Sequence, residues 1–125
     1  LESDPRRTFS LAQLLARAGR TEESERAYRR GLERYPRNTN ARMNLAHLLS
    51  RTRRLEEAEA LLLPALEHEP RNARLWLTLG SYRQMRGDTS GAREALEKAI
   101  EFDPSTWSAH FNFGLLLFDA SETEL

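Results

Sequence analysis

The sequence predicts an all-α protein built as a stack of antiparallel helix pairs, and three observations carry that expectation. Pro36, Pro70 and Pro104 recur at intervals of 34 residues. Between consecutive prolines lie two apolar stripes at helical spacing, separated by a break. The stretch 73–104 shows this best: Trp76, Leu79, Gly80 and Tyr82 form one stripe, Gly87-Asp88 interrupts, and Ala92, Ala95, Leu96, Ala99 and Ile100 form the next. Stripes of period 3.6 mark amphipathic helices and Gly-Asp marks a turn. Third, small residues return at fixed places once the prolines are set in register.

That register divides the chain into repeats 5–38, 39–72 and 73–106, with a partial repeat at 107–125. Position 8 is Ala12, Ala46, Gly80 and Gly114; position 20 is Ser24, Ala58 and Ala92; position 27 is Gly31, Ala65 and Ala99. Small side chains on both helices let the two backbones approach where they cross. Position 7 (Leu11, Leu45, Leu79, Phe113) and position 28 (Leu32, Leu66, Ile100) supply the large residues expected to fill the space between helices.

On these residues the chain resembles the tetratricopeptide repeat, whose motif is W-x2-L-G-x2-Y followed by A-x3-F, A and P over about 34 residues. Trp76, Leu79, Gly80, Ala92, Leu96, Ala99 and Pro104 fall on that motif in the third repeat. The resemblance implies a right-handed superhelical stack over the whole of 1–125, one domain of about 3.5 repeats. Two departures stand out. Position 4 is Thr8, Arg42, Trp76 and His110, and position 11 is Leu15, Leu49, Arg83 and Leu117, with Tyr82 one place early. Both are expected to loosen individual contacts without disturbing the period.

Taken in order, Asp4-Pro5 starts the first helix, with a carboxylate N-cap and proline where its missing N–H costs nothing. Gly19 stops that helix near Ala18, and Thr21 followed by acidic residues opens the second, which Pro36 ends. Asn38 caps the next helix to about Thr52, and its turn, Arg53-Arg54, lacks glycine. The helix from about Glu56 contains Pro64. A proline there removes a hydrogen bond to the carbonyl of Ala60 and crowds it, so a kink is expected at 60–64. Asn72 opens the fifth helix, Gly87 ends it, and the sixth spans about Ser90 to Phe102. The last helix, 107–118, is unusually apolar, and 121–124 is expected to be a turn. Terminal repeats usually carry a polar capping face. Its absence here leads to the expectation that the chain is a piece of a longer array.

Composition bounds the chemistry. Lysine and arginine number 19, aspartate and glutamate 19, cysteine none. Disulfides and thiolate metal sites are therefore excluded, and no apolar run approaches the roughly 20 residues that cross a bilayer. The signs are segregated: the first helices of the pairs hold Arg6, Arg7, Arg17, Arg42, Arg51, Arg74, Arg83 and Arg86 and not one carboxylate. His47, His68 and His110 fall on different helices without an i, i+4 pair, so no metal site is expected. Gly87 to Gly91 reads as a turn, no phosphate-binding loop occurs, and neither an enzyme nor a cofactor is expected.

The resemblance implies a function instead: a scaffold that receives a segment of another protein along the inner, concave face of its first helices. Positions 2, 5, 6, 9, 12 and 13 form that face. The partner-binding residues expected from it are Arg6, Phe9, Gln13 and Arg17; Asn40, Met43, Asn44, His47 and Arg51; Arg74, Thr78, Ser81 and Met85; and Phe111 and Asn112. Ser10, Ala16, Ser50, Leu77, Gln84, Ser108, Leu115, Phe118 and Asp119 complete the face. Arginine suits a carboxylate because its planar fork makes two parallel hydrogen bonds, so an acidic segment is the favoured partner. The competing explanation is that Arg17, Arg51 and Arg74 merely pair with acidic second helices. Chaperone-binding members of the family clamp a terminal carboxylate with Lys, Asn, Asn, Lys and Arg; this chain offers Phe9, Gln13, Asn44, Arg74 and Thr78 there, so that clamp is not expected. Self-assembly through the apolar helix 107–118 and binding of single-stranded RNA are the alternatives. Zero net charge and few groove aromatics weigh against the RNA.

Overall fold

The computed structural model describes residues 4–124, with side chains through Asp119. Among these residues there are seven helices and no strand: α1 (Pro5–Arg17), α2 (Thr21–Arg34), α3 (Thr39–Arg51), α4 (Leu55–His68), α5 (Ala73–Met85), α6 (Thr89–Phe102) and α7 (Trp107–Glu124). Helices α1–α2, α3–α4 and α5–α6 pack as hairpins. Contacts then pass from α2 to α3, α4 to α5 and α6 to α7, and α5 also touches α7. Each pair thus buries its apolar face on the next, as a linear stack requires.

Local chemistry sets the ends of the helices. Asp4 accepts a hydrogen bond from the Arg6 N–H, Asn38 from that of Ala41, Asn72 from those of Arg74 and Leu75, and Asp88 from that of Gly91. Each satisfies N–H groups that the first turn leaves without a helical partner. Glu22-Glu23 and Glu56-Glu57 sit in the first turns of α2 and α4, where the helix dipole favours negative charge. Position 15 turns every hairpin through a left-handed backbone: Gly19 at φ 79°, Arg53 at φ 66° and Gly87 at φ 85°. Arg53 does so at a cost of about 1–2 kcal/mol that glycine avoids.

One expectation fails at this level: no turn forms at 121–124, because α7 continues to Glu124. Ser121 stands where Gly19 and Gly87 turn the other hairpins. Pro64 lies inside α4, which is helical from Leu55 to His68. Ala60 is exposed, so water can reach the carbonyl that Pro64 cannot serve, and the Arg42 guanidinium donates to the next carbonyl, that of Leu61, at 3.1 Å.

The core follows the repeat register. Leu45, Leu49, Leu62, Leu75, Leu79 and Leu96 are fully enclosed, and Ala12, Ala46, Gly80, Ala58 and Ala92 mark the helix crossings. Ser24 joins them because its hydroxyl donates to the Ala12 carbonyl at 2.7 Å, which removes the penalty of burying it. Leu11 departs from its expected role as an interhelical filler and is 58% exposed. Its equivalents Leu45 and Leu79 are covered by the preceding helix pair, and no helix among the described residues lies on that side of α1.

Three departures from the family motif, Arg42, His110 and Arg83, make ties of their own. At position 4, Arg42 Nε donates to the Pro36 carbonyl at 2.7 Å and Trp76 Nε1 to the Pro70 carbonyl at 2.8 Å. His110 Nε2 lies 2.8 Å from the Pro104 carbonyl, an oxygen that can only accept. Three different flat N–H groups thus tie α3, α5 and α7 to the proline turn before each. Arg83, at position 11, meets the buried carboxylate of Glu59 at 3.3 Å, and Arg86 pairs with the same carboxylate. One junction earlier, Arg54 reaches Glu25 at 2.6 Å and Glu57 at 2.8 Å.

Candidate functional site

Three adjoining depressions run along the face formed by the first helices of the pairs. The first lies between α1 and the start of α3 and is lined by Arg6, Phe9, Gln13, Asn40 and Asn44 among others. A second is lined by Gln13, Arg17, Tyr28, Asn44, His47 and Arg51. The third, of about 430 Å³, lies among α3, α5 and α7, where His47 and Arg51 meet Leu77, Tyr82, Met85 and Asn112. Gln13 and Asn44 belong to the first two, His47 and Arg51 to the last two, so the three form one continuous groove.

Most of the residues expected at the groove are there: Arg6, Gln13, Arg17, Asn40, Asn44, His47, Arg51, Thr78, Ser81, Met85 and Asn112 all line it. Phe9 lines the first depression with one edge but is only 6% exposed. Its ring stacks on Tyr28 and meets Tyr35 edge-on, both at 6.2 Å between centroids. Gly31 makes this possible, because a Cβ there would come within 2.3 Å of the Phe9 ring. At the same place Ala65 and Ala99 carry that Cβ, and Met43 and Leu77, the counterparts of Phe9, are only half-buried. Met43, Arg74 and Phe111 lie outside the three depressions. Met43 packs against the core, Arg74 is exposed at the first turn of α5, and Phe111 stacks on Trp107 at 5.1 Å.

Tyr28 and Tyr82 were not anticipated at the groove, since one belongs to a second helix and the other sits one place from the motif. Burial pushes both phenols above their ordinary pKa, while hydrogen bonds with Asn44 and Ser50 respectively pull the other way. Those bonds orient Asn44 and Ser50 on the groove wall. The signal available in the sequence was an amphipathic aromatic at a position able to reach between two first helices.

The arginines divide sharply. Arg42, Arg83 and Arg86 are held by backbone carbonyls or by Glu59, and Arg6 pairs with Asp4. Arg17 and Arg51 occupy position 13 of successive repeats, line the same depression, and have no hydrogen bond or ion pair among the described residues. No carboxylate lines that depression. Glu25, Glu57 and Glu59 of the second helices pair with Arg29, Arg54, Arg83 and Arg86, and no carboxylate among the described residues pairs with Arg17 or Arg51.

A stack of helix pairs with one continuous groove along its first helices defines a helical-repeat protein. A family model described as tetratricopeptide repeat matches residues 15–82, and another of that description matches 77–125. The chain belongs to the tetratricopeptide-repeat family, and its fold is that family's right-handed superhelical stack. No curated protein sequence matches it. Solved structures similar to it include the first TPR of Spaghetti (RPAP3) bound to the HSP90 peptide SRMEEVD, at TM-score 0.85 and 16% identity over 94% of this chain and 93% of that one. The Sgt2 TPR domain from Aspergillus fumigatus gives TM-score 0.86 and 21% identity over 98% and 83%. MamA from Desulfovibrio magneticus RS-1 gives 0.83 and 20% over 97% and 68%. At these identities the likeness is one of fold.

Proposed function

We propose that this chain is a non-catalytic scaffold that receives a segment of another protein in the concave groove along its first helices. The observation that carries this reading is the continuity of the groove, which joins α1, α3, α5 and α7 through shared wall residues. A groove of that form suits an extended chain: amides at Gln13, Asn40, Asn44 and Asn112 can pair with backbone groups, and side-chain depressions recur along it. Structures of the same fold solved with HSP90 and HSP70 peptides support a peptide as the occupant. The ligand itself does not carry over, because of the five clamp residues only Asn44 is kept, Arg74 replaces a lysine, and Phe9, at another clamp position, is committed to the core.

Filling the groove tests the reading. Gln13→Trp with Thr78→Trp places bulk in two depressions at positions whose side chains are not enclosed. Affinity capture with this variant is expected to lose the partners that the wild type retains, while a control, Glu33→Arg on the exposed side of α2, keeps them. Helicity by circular dichroism should match in all three. Capture that survives filling of the groove would move the binding surface elsewhere.

A further inference from the structure

We infer that the groove reads two chemistries at once: a carboxylate held between Arg17 and Arg51, and a large apolar side chain seated against Leu77, Tyr82 and Met85. The inference rests on the groove being the binding surface, and adds what kind of segment it takes.

Charge complementarity argues for the carboxylate. Two guanidinium groups from successive repeats face one depression, without a partner among the described residues and without a carboxylate in its walls. Like charges gathered this way repel until an anion enters, and a carboxylate can accept paired N–H bonds from a guanidinium. Asn44 and His47 stand beside them to complete its hydrogen bonding.

The neighbouring depression is of opposite character. Leu77 is half-buried, Met85 is 58% exposed, and Tyr82, 5% exposed, lines the floor of the same space. Its volume of about 430 Å³ admits a leucine or phenylalanine side chain with room for the adjoining backbone. Methionine suits such a seat because its unbranched thioether repacks around different shapes. The apolar character continues onto α7, where Phe111, Leu115 and Phe118 are exposed. Since the two depressions share His47 and Arg51, one segment can occupy both.

The geometry also sets a spacing. The two seats lie over neighbouring first helices, and helices about 10–12 Å across put them on the order of 10–20 Å apart. At about 3.3 Å per extended residue that is about three to six residues. The preferred ligand is therefore an acidic residue and a large apolar residue with about that many positions between them.

The probes are synthetic peptides, acetylated and amidated so that no terminal charge contributes, carrying a Glu-Glu pair and a Leu-Phe pair separated by a varied number of Gly/Ser residues. Fluorescence anisotropy is expected to show tightest binding at a separation of about three to six residues. Replacing Glu-Glu by Gln-Gln, or Leu-Phe by Ser-Ser, should weaken binding by about tenfold or more. Arg17→Glu with Arg51→Glu should abolish discrimination against Gln-Gln and favour a Lys-Lys peptide. Met85→Ser with Leu77→Ser should remove only the apolar preference. Binding indifferent to Glu→Gln or to the separation would overturn the inference. So would a single-stranded oligonucleotide bound more tightly than any peptide through the same two arginines, which would make the anion a phosphate. If no peptide binds although the groove-filling variant loses its captured partners, the two-part inference falls and the groove reading stands. Should filling leave capture intact, the groove reading itself has failed.

Discussion

Glu25 and Glu59 occupy the same place in successive second helices, and each is reached from the next helix pair, Glu25 by Arg54 and Glu59 by Arg83 and Arg86; Arg29 of its own helix also pairs with Glu25. The hydrogen bonds from Arg54, chiefly, hold the Glu25 carboxyl below its ordinary value of 4.5. A depressed carboxyl pKa stabilises the fold above the unfolded-state value and loses that contribution as pH falls through the folded-state value. Glu25→Gln should therefore lower stability at neutral pH and flatten its decline as pH falls below the ordinary carboxylate value of 4.5, measured by urea titration at stepped pH. An equally steep decline in the variant would place the acid-sensitive group elsewhere. At this scale the sequence was only partly legible: Arg83 read as a departure from the motif's tyrosine that loosens a contact, because its acceptor, Glu59, lies 24 residues away on another element.

At the scale of the helix pair, the small-residue positions were the most legible feature, and the coordinates give them different weights. A Cβ on Gly80 would come within 2.9 Å of Leu96 Cγ, whereas a Cβ on Gly114 would meet nothing within 4 Å. Gly80→Leu should destabilise by at least about 1–3 kcal/mol through overpacking against α6. Gly114→Ala should be neutral or stabilise by up to about 1 kcal/mol from helix propensity. Thermal unfolding of the two variants checks both, and a tolerated Gly80→Leu would mean that α5 and α6 cross elsewhere. Position 4 tells the complementary story. Trp76→Phe keeps a ring but removes the bond to the Pro70 carbonyl, and should cost about 1 kcal/mol by denaturant titration. No loss would reduce that contact to packing alone. Pattern reading looks for an aromatic at position 4, and so passed over Arg42 and His110, which share with Trp76 the N–H and not the hydrophobicity.

For the whole molecule, the period of the prolines was enough to lay out the helix pairs, because stacking neighbours forces equivalent residues into equivalent places. It failed where equivalence fails. Leu11 and Leu14 are exposed while their counterparts Leu45 and Leu48 are buried, since burial in a stack belongs to the junction and not to the residue. Phe9 left the groove for the core because Gly31 opened room under it, a pairing across the hairpin that a face-by-face reading treats as two unrelated positions. Tyr28 entered the groove wall for a similar reason, reaching it from a second helix.

The ties between position 4 and the proline turns have a consequence for how such a chain can change. An indole, a guanidinium and an imidazole perform the same task at Trp76, Arg42 and His110. The linkage is blind to whether its donor is greasy or cationic. Position 4 can therefore drift in electrical character from one repeat to the next while the pitch of the spiral stays constant.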